Sequence, residues 1–169
     1  MKKIVIVNSS PRKNGNCDIL CSEFGRGAVM NAGNEVVRFN LNDVNYDFYR
    51  EDQAEDEFDN IANQMLGANV IVLATPVYFY SMSGQMKTLI DRMMPYFSRL
   101  TGKDFYFILT APVNRKEMEP TAESLIGFTD SLNDCNVVHI TYGSNVSQKG
   151  DLISTPAYKE VFEIASKIF

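Results

Sequence analysis

Between Ser9 and Cys17 the chain reads SSPRKNGNC, a run rich in hydrogen-bond donors with no acid before Asp18. The chemistry such a set can do is to hold an anion. Ser9 and Ser10 offer hydroxyls, Asn14 and Asn16 amides, and Arg12 a rigid fork of N–H groups that matches phosphate. Gly15 is free to adopt φ > 0 and so turn successive backbone N–H groups inward. The spacing is neither GxxxxGK[ST] nor GxGxxG, which leaves a cradle for one terminal phosphate. The alternative is an ordinary loop ahead of a capped helix. A second stretch, TPVYFYSMSG from Thr75 to Gly84, sets Tyr78, Phe79 and Tyr80 in succession. Aromatics beside a phosphate cradle suit a planar ligand with a phosphorylated tail; otherwise they only cover the end of a sheet.

The flanking patterns say how these stretches are placed. Ile4 to Val7 is an unbroken β-branched run, suited to a strand buried on both faces. Cys17, Leu20, Cys21, Phe24 and Ala28 follow at helical spacing. The cradle therefore lies at a strand's carboxyl end and a helix's amino end, where free N–H groups and the helix dipole favour an anion. The spacing predicts that helix over about Asn16 to Ala32, then a second strand over Glu35 to Leu41. Asn42 to Glu57 reads as a long irregular loop whose acids, Glu51 to Glu57, form a solvated face. A helix with Phe58, Ile61, Ala62, Met65 and Leu66 inward precedes a third strand, Val70 to Ala74. Ser83 reads as the N-cap of a helix carrying Met86, Leu89, Ile90, Met93 and Met94, which Pro95 ends or kinks. Phe105 to Leu109 is a fourth strand, and Pro120 fits the first turn of a helix carrying Leu125, Phe128 and Leu132. Val137 to Thr141 is a fifth strand, in which the lone His139 reads as a core residue, and Thr155–Pro156 opens a last helix.

Strict alternation of strand and helix implies an α/β fold, a doubly wound five-stranded parallel sheet in the order 2-1-3-4-5. Residues 1–169 then form a single domain. Ligands of such sheets bind outside the carboxyl ends of the strands where the order reverses, here between strands one and three. That rule brings the cradle and the aromatic stretch together. Sixteen basic against twenty-one acidic residues, a net charge of −5, argue against a nucleic-acid partner. No apolar run of about eighteen residues and no signal-peptide core are present, so a cytoplasmic protein with no membrane partner is expected. The three cysteines, Cys17, Cys21 and Cys135, fit a reducing compartment. They are too few to ligate an iron–sulfur cluster, and no metal site is expected.

The segments SSPRKNGNC and ATPVYFYSMSGQMKTLIDRM, with YGSNVSQKGD after strand five, carry a resemblance that runs over almost the whole chain. They resemble the loops of the NAD(P)H-dependent FMN reductase and iron–sulfur flavoprotein branch of the flavodoxin-like superfamily. The resemblance implies that the first loop holds the phosphate of FMN through Ser9, Arg12, Asn14, Asn16 and Cys17. It implies that Pro76, Val77, Tyr78 and Phe79 lie against the isoalloxazine ring, with Tyr80 and Met82 nearby. Thr110 and Ala111, after strand four, would form a third side. The chain departs from the pattern in three places. Asn42 to Glu57 lacks the cysteines that iron–sulfur members carry after strand two; the loop after strand four reads APVNR and not a glycine-rich turn; and Cys17 stands where such cradles have Ser or Thr. A thiol is a weak donor, so a contact at Cys17 runs through its backbone N–H. That thiol is expected to be open to reagents while the cradle is empty, and Cys21, one turn on, to pack inward.

The resemblance implies an FMN-dependent oxidoreductase that uses NAD(P)H as co-substrate and a quinone, small aromatic or flavin as acceptor. A flavin asks of the protein binding, orientation and tuning, so no catalytic side chain is named. The alternative is an electron-carrier flavoprotein without its own nicotinamide turnover. Against it stand Pro11 and Arg12, since the cradle of true flavodoxins is threonine-rich. A phosphoacceptor receiver domain shares the winding but needs clustered acids after strand one, where this chain has Asn8, Ser9 and Ser10. Tyr78 to Tyr80 with Met82, and Tyr46, Phe48 and Tyr49, exceed what one strand end needs. Such patches mark an interface, and the resemblance implies a homodimer or homotetramer.

Overall fold

The β-branched run near the amino terminus lies inside a sheet, as burial on both of its faces requires. A computed structural model describes residues 1–169. Five strands run parallel: β1 (Lys3–Asn8), β2 (Glu35–Asn40), β3 (Val70–Tyr78), β5 (Asp104–Thr110) and β6 (Asn136–Gly143). Their order is β2-β1-β3-β5-β6, the doubly wound order that the alternation implies. A sixth strand, β4 (Ser81–Met82), pairs antiparallel with the end of β3. Two residues returning through a hairpin are too few for any periodicity to reveal.

Side chains alternate along each strand, so β1 sends Ile4 and Ile6 to one face and Val5 and Val7 to the other. α1 (Asn16–Ala28) and α5 (Pro156–Ala165) cover the first face. α2 (Phe58–Gly67), α3 (Gly84–Arg92) and α4 (Arg115–Asp130) cover the second. α1 and α5 approach closely at Gly27, where a Cβ would come within 2.4 Å of the Phe162 carbonyl oxygen. No helix is long and apolar enough to cross a membrane.

Several local expectations are revised. α1 stops at Ala28, short of Ala32, because Asn31 leaves the expected helix and, with Asn34 beyond it, serves the carboxyl-terminal carbonyls. Asn31 Nδ2 donates to Ser166 O and Ile168 O at 2.9 and 2.7 Å, and Asn34 Nδ2 to Ile168 O at 2.8 Å. α4 starts at Arg115, ahead of Pro120, because Asn114 and Glu117 close a capping box there. Pro120 sits inside the helix, on an exposed face where water can take the carbonyl its missing N–H leaves free. In β6 the register shifts by one residue at Val138, between the pairs Phe105–Val137 and Tyr106–His139. This bulge resets the alternation. His139 is therefore not a core residue: it lies half-exposed on an edge strand, its Nε2 2.7 Å from Glu160 Oε1.

The loop after β2 is pinned as well as solvated. Arg92, with its side chain 3% exposed, makes two 2.8 Å bonds to the Asp56 carboxylate and donates to Asp47 O at 3.0 Å. Its guanidinium also lies 4.6 Å from the centroid of the Phe58 ring. Arg92, chiefly by hydrogen bonding, holds the Asp56 carboxyl below its ordinary range. A carboxyl depressed in the folded state contributes stability that is complete above the unfolded value, about 3.9, and is lost as pH falls through the folded one. Asp56→Asn is expected to cost about 1–3 kcal/mol at neutral pH, and its gap from the wild type to shrink in acid. Denaturant unfolding of both proteins across that range measures it; a gap independent of pH would remove the charged contribution.

Candidate functional site

The loops after β1, β3, β5 and β6 meet at the carboxyl edge of the sheet, around the order reversal. Together they enclose a cavity of about 400 Å³. Three buried hydroxyls fix the first two loops from beneath. Ser9 Oγ donates to Ala74 O at 3.0 Å and accepts from Ser83 Oγ at 2.8 Å. Ser83 N donates to Thr75 Oγ1 at 3.0 Å, and Ser83 Oγ caps α3 by accepting from Met86 N at 3.2 Å. Ser9 thus faces the interior and is absent from the cavity wall.

The rest of the first loop divides between wall and scaffold. Asn14, not Gly15, takes the left-handed conformation, with φ 56° against −80° at Gly15. The lack of a side chain at Gly15 still matters, since a Cβ would come within 3.0 Å of both Arg12 Cβ and Arg12 O. Asn14 lies off the wall, and its backbone N–H donates to Asp18 Oδ2 at 2.7 Å. Asp18 also pairs with Arg38, so this acid in the first turn of α1 closes the loop back onto the helix. Ser10, Arg12, Asn16 and Cys17 do line the cavity. Arg12 Nη1 donates to Ser147 O at 3.0 Å. Asn16 has both polar atoms engaged: Nδ2 donates to Gln148 O at 2.9 Å, and Oδ1 accepts from Gly150 N and Leu152 N at 3.2 and 3.4 Å. No side chain caps α1, so the N–H groups of its first turn have no partner within the helix. Cys17 is only 1% exposed, which overturns the expectation of an open thiol. Cys21 is fully buried, its thiol pushed well up, first by the neighbouring Cys17 side chain and then by burial.

Opposite the cradle, Pro76, Val77, Tyr78, Phe79 and Tyr80 form one wall, and Thr110, Ala111, Pro112 and Val113 another. Met82 packs beneath, in the core. The two-residue turn joining β3 to β4 consists of Phe79 and Tyr80, with φ 49° and 65°. Such turns favour Asn-Gly, because a bulky side chain is strained at φ > 0. Phe79 is 99% exposed, so no packing within the chain compensates it. Pro112, Val113, Glu117, Val146 and Ser147 also line the wall, and none of them was named from the sequence. Glu117 lies three residues after its capping partner, a spacing that could have marked the start of the helix but not its place on the wall. Val146 and Ser147 come from an aperiodic loop, held by Val146 N donating to Ala111 O at 3.0 Å. Nowhere do three His, Cys, Asp or Glu side chains gather in a way that could hold a metal ion.

Residues 2–144 match the family described as NADPH-dependent FMN reductase. Over 113 residues the chain is 30% identical to an iron–sulfur flavoprotein of Archaeoglobus fulgidus, covering 62% of this chain and 51% of that one. Over 96 residues it is 28% identical to a Bacillus subtilis chain described as an NAD(P)H-dependent FMN-containing oxidoreductase, covering 53% and 51%. The chain thus spans about half the length of the curated relatives it matches. An FMN-dependent NADH-azoreductase of Bacillus anthracis, solved in complex with FMN, superposes with a TM-score of 0.76 at 16% identity. That match covers 97% of this chain and 98% of the other, and is a likeness of fold.

The strained tip yields a test of the wall's construction. Replacing Phe79 by Asn together with Tyr80 by Gly is expected to stabilise the fold by about 1–3 kcal/mol. Thermal unfolding of the double variant measures this. A loss of stability would show the turn to be unstrained or its rings to be packed.

Proposed function

The chain belongs to the NADPH-dependent FMN reductase family, and on that premise we propose that its cavity holds FMN and that it passes electrons from NAD(P)H to a small acceptor. The observation that carries this reading is one cavity with an uncapped helix terminus and a guanidinium at one end and apolar and aromatic walls at the other. The residues present fit the group. Ser10, Arg12 and the first-turn N–H groups of Asn16 and Cys17 supply donors for a phosphate. Pro76 to Phe79, with Thr110 and Ala111, supply a flat apolar surface for the ring. Ser9, Asn14 and the side chain of Asn16 act one step removed, holding the loop that presents those donors. FMN bound there supplies hydride acceptance and onward electron transfer, chemistry that no side chain here provides. The protein's part is to bind the phosphate, orient the ring and exclude water from it. Residues 1–169 act as a single FMN-binding domain, and the acceptor is a quinone, a small aromatic or a free flavin.

The test is titration of the flavin-free protein with FMN and with riboflavin, followed by anaerobic addition of NADH or NADPH. FMN is expected to bind more tightly than riboflavin, and the nicotinamide to bleach the bound flavin. Arg12→Ala should weaken FMN by about 1.5–3 kcal/mol, the range for charged hydrogen bonds, and leave riboflavin nearly unaffected. Failure to bind either flavin would refute the reading. Tight FMN binding without bleaching would favour an electron carrier.

A homodimer or homotetramer is part of the same proposal. Phe79 and Phe48 are 99% and 75% exposed, with Tyr80, Tyr78 and Tyr49 also open to solvent. Tyr46 and Met82 drop out of that patch: Tyr46 donates to Gln85 O at 3.0 Å and Met82 is buried. Sedimentation should show a multiple of 19.1 kDa at micromolar concentration; the 19.1 kDa species alone would rule out the assembly.

A further inference from the structure

The cavity wall carries one cation, Arg12, and one acid, Glu117. The cradle belongs to α1, which with α5 covers one face of the sheet, whereas Glu117 belongs to α4, on the opposite face. α4 also packs against β4, the return strand of the aromatic hairpin. Within the run Arg115-Lys116-Glu117 only the acid reaches the cavity wall. The Arg115 guanidinium lies 4.4 Å from the centroid of the Tyr142 ring, beside the edge strand β6, and Lys116 is exposed off the wall.

Glu117 is held and not free to swing. Its Oε2 accepts from Asn114 Nδ2 at 2.7 Å and from Asn114 N at 3.3 Å, while Glu117 N donates to Asn114 Oδ1 at 3.3 Å. The uncharged wall residues that share the cavity with it include Pro112, Val113 and Tyr78 to Tyr80. Arg12, the one cation on the wall, stands at the cradle.

We propose that Glu117 selects by charge the aromatic compound that shares the cavity with FMN, admitting neutral and cationic compounds and disfavouring anionic ones. The inference rests on the FMN reading above and extends it to the class of acceptor. A phosphate engaging Arg12 leaves no other cation on the wall to offset the carboxylate. An anionic acceptor must then lose water beside an apolar wall while facing a fixed like charge. A neutral one of the same shape meets the apolar wall alone.

Capping explains a glutamate at this position equally well, so the test separates the charge from the cap. Glutamine serves the capping box as glutamate does, which makes Glu117→Gln the informative variant. Oxidised, FMN-loaded protein without reductant is titrated with a naphthoquinone and with its sulfonate, following the perturbed flavin absorption, so that no turnover occurs. The wild type should bind the neutral compound more tightly by roughly three- to tenfold. Glu117→Gln should close most of that gap, chiefly through tighter sulfonate binding. High salt should narrow the gap in the wild type, a measurement that needs no variant. A preference that is the same in Glu117→Gln and insensitive to salt would overturn the proposal while leaving FMN binding intact. Failure of the wild type to bind FMN would overturn this proposal and the reading beneath it together.

Discussion

The site depends on three buried hydroxyls, those of Ser9, Thr75 and Ser83. At the carboxyl edge of the sheet, where the chain turns, the Ala74 carbonyl accepts from Ser9 N at 2.9 Å and keeps a second lone pair free. Ser9 Oγ serves the Ala74 carbonyl, Ser83 Oγ joins Ser9 to the first turn of α3, and Thr75 Oγ1 receives the Ser83 N–H. Each such bond contributes about 1 kcal/mol net, but a buried group left without one costs about 1–3 kcal/mol. Breaking the relay therefore costs more than any one of its bonds contributes. The relay locks the loop after β1 to the end of β3, and so sets the distance between the two principal walls of the cavity.

Around that lock, most polar side chains of the first loop act on the protein itself. Asp18 ties the loop to α1, and Asn16 ties it to the segment after β6. What remains directed at the cavity is small: Ser10, Arg12 and the first turn of an uncapped helix. A site held in this way loses little conformational freedom when a ligand enters. The Phe79–Tyr80 turn follows the same logic at the other wall. Strain of this kind persists where the surroundings over-determine the backbone, and it is frequent at ligand clamps.

The sheet order was legible because fully buried β-branched runs alternate with helical spacing, and only a few windings satisfy that alternation. The donor-rich composition of the loop after β1 was legible too, but the directions of its side chains were not. Ser9 and Ser10 are neighbours with the same side chain, yet one turns to the Ala74 carbonyl and the other to the cavity. That choice is made by a carbonyl 65 positions away. The segment NVVHITYG reads as plain alternation, and nothing in it marks Val138 as the extra residue that re-aims His139. The Asn114–Glu117 capping spacing is present in the sequence, but the place of Glu117 on the wall follows from how α4 packs on the sheet.

The central claim is that one cavity takes a phosphate at the first turn of α1 and a ring between the loops after β3 and β5. Amide chemical-shift mapping of the isotope-labelled, flavin-free protein tests it most directly. On addition of FMN, the largest shifts are expected at Arg12, Asn16 and Cys17 together with Val77 to Tyr80 and Ala111. Riboflavin should move only the second group. Shifts centred on the edge strand β6, or a first turn of α1 that does not respond to FMN, would contradict the account.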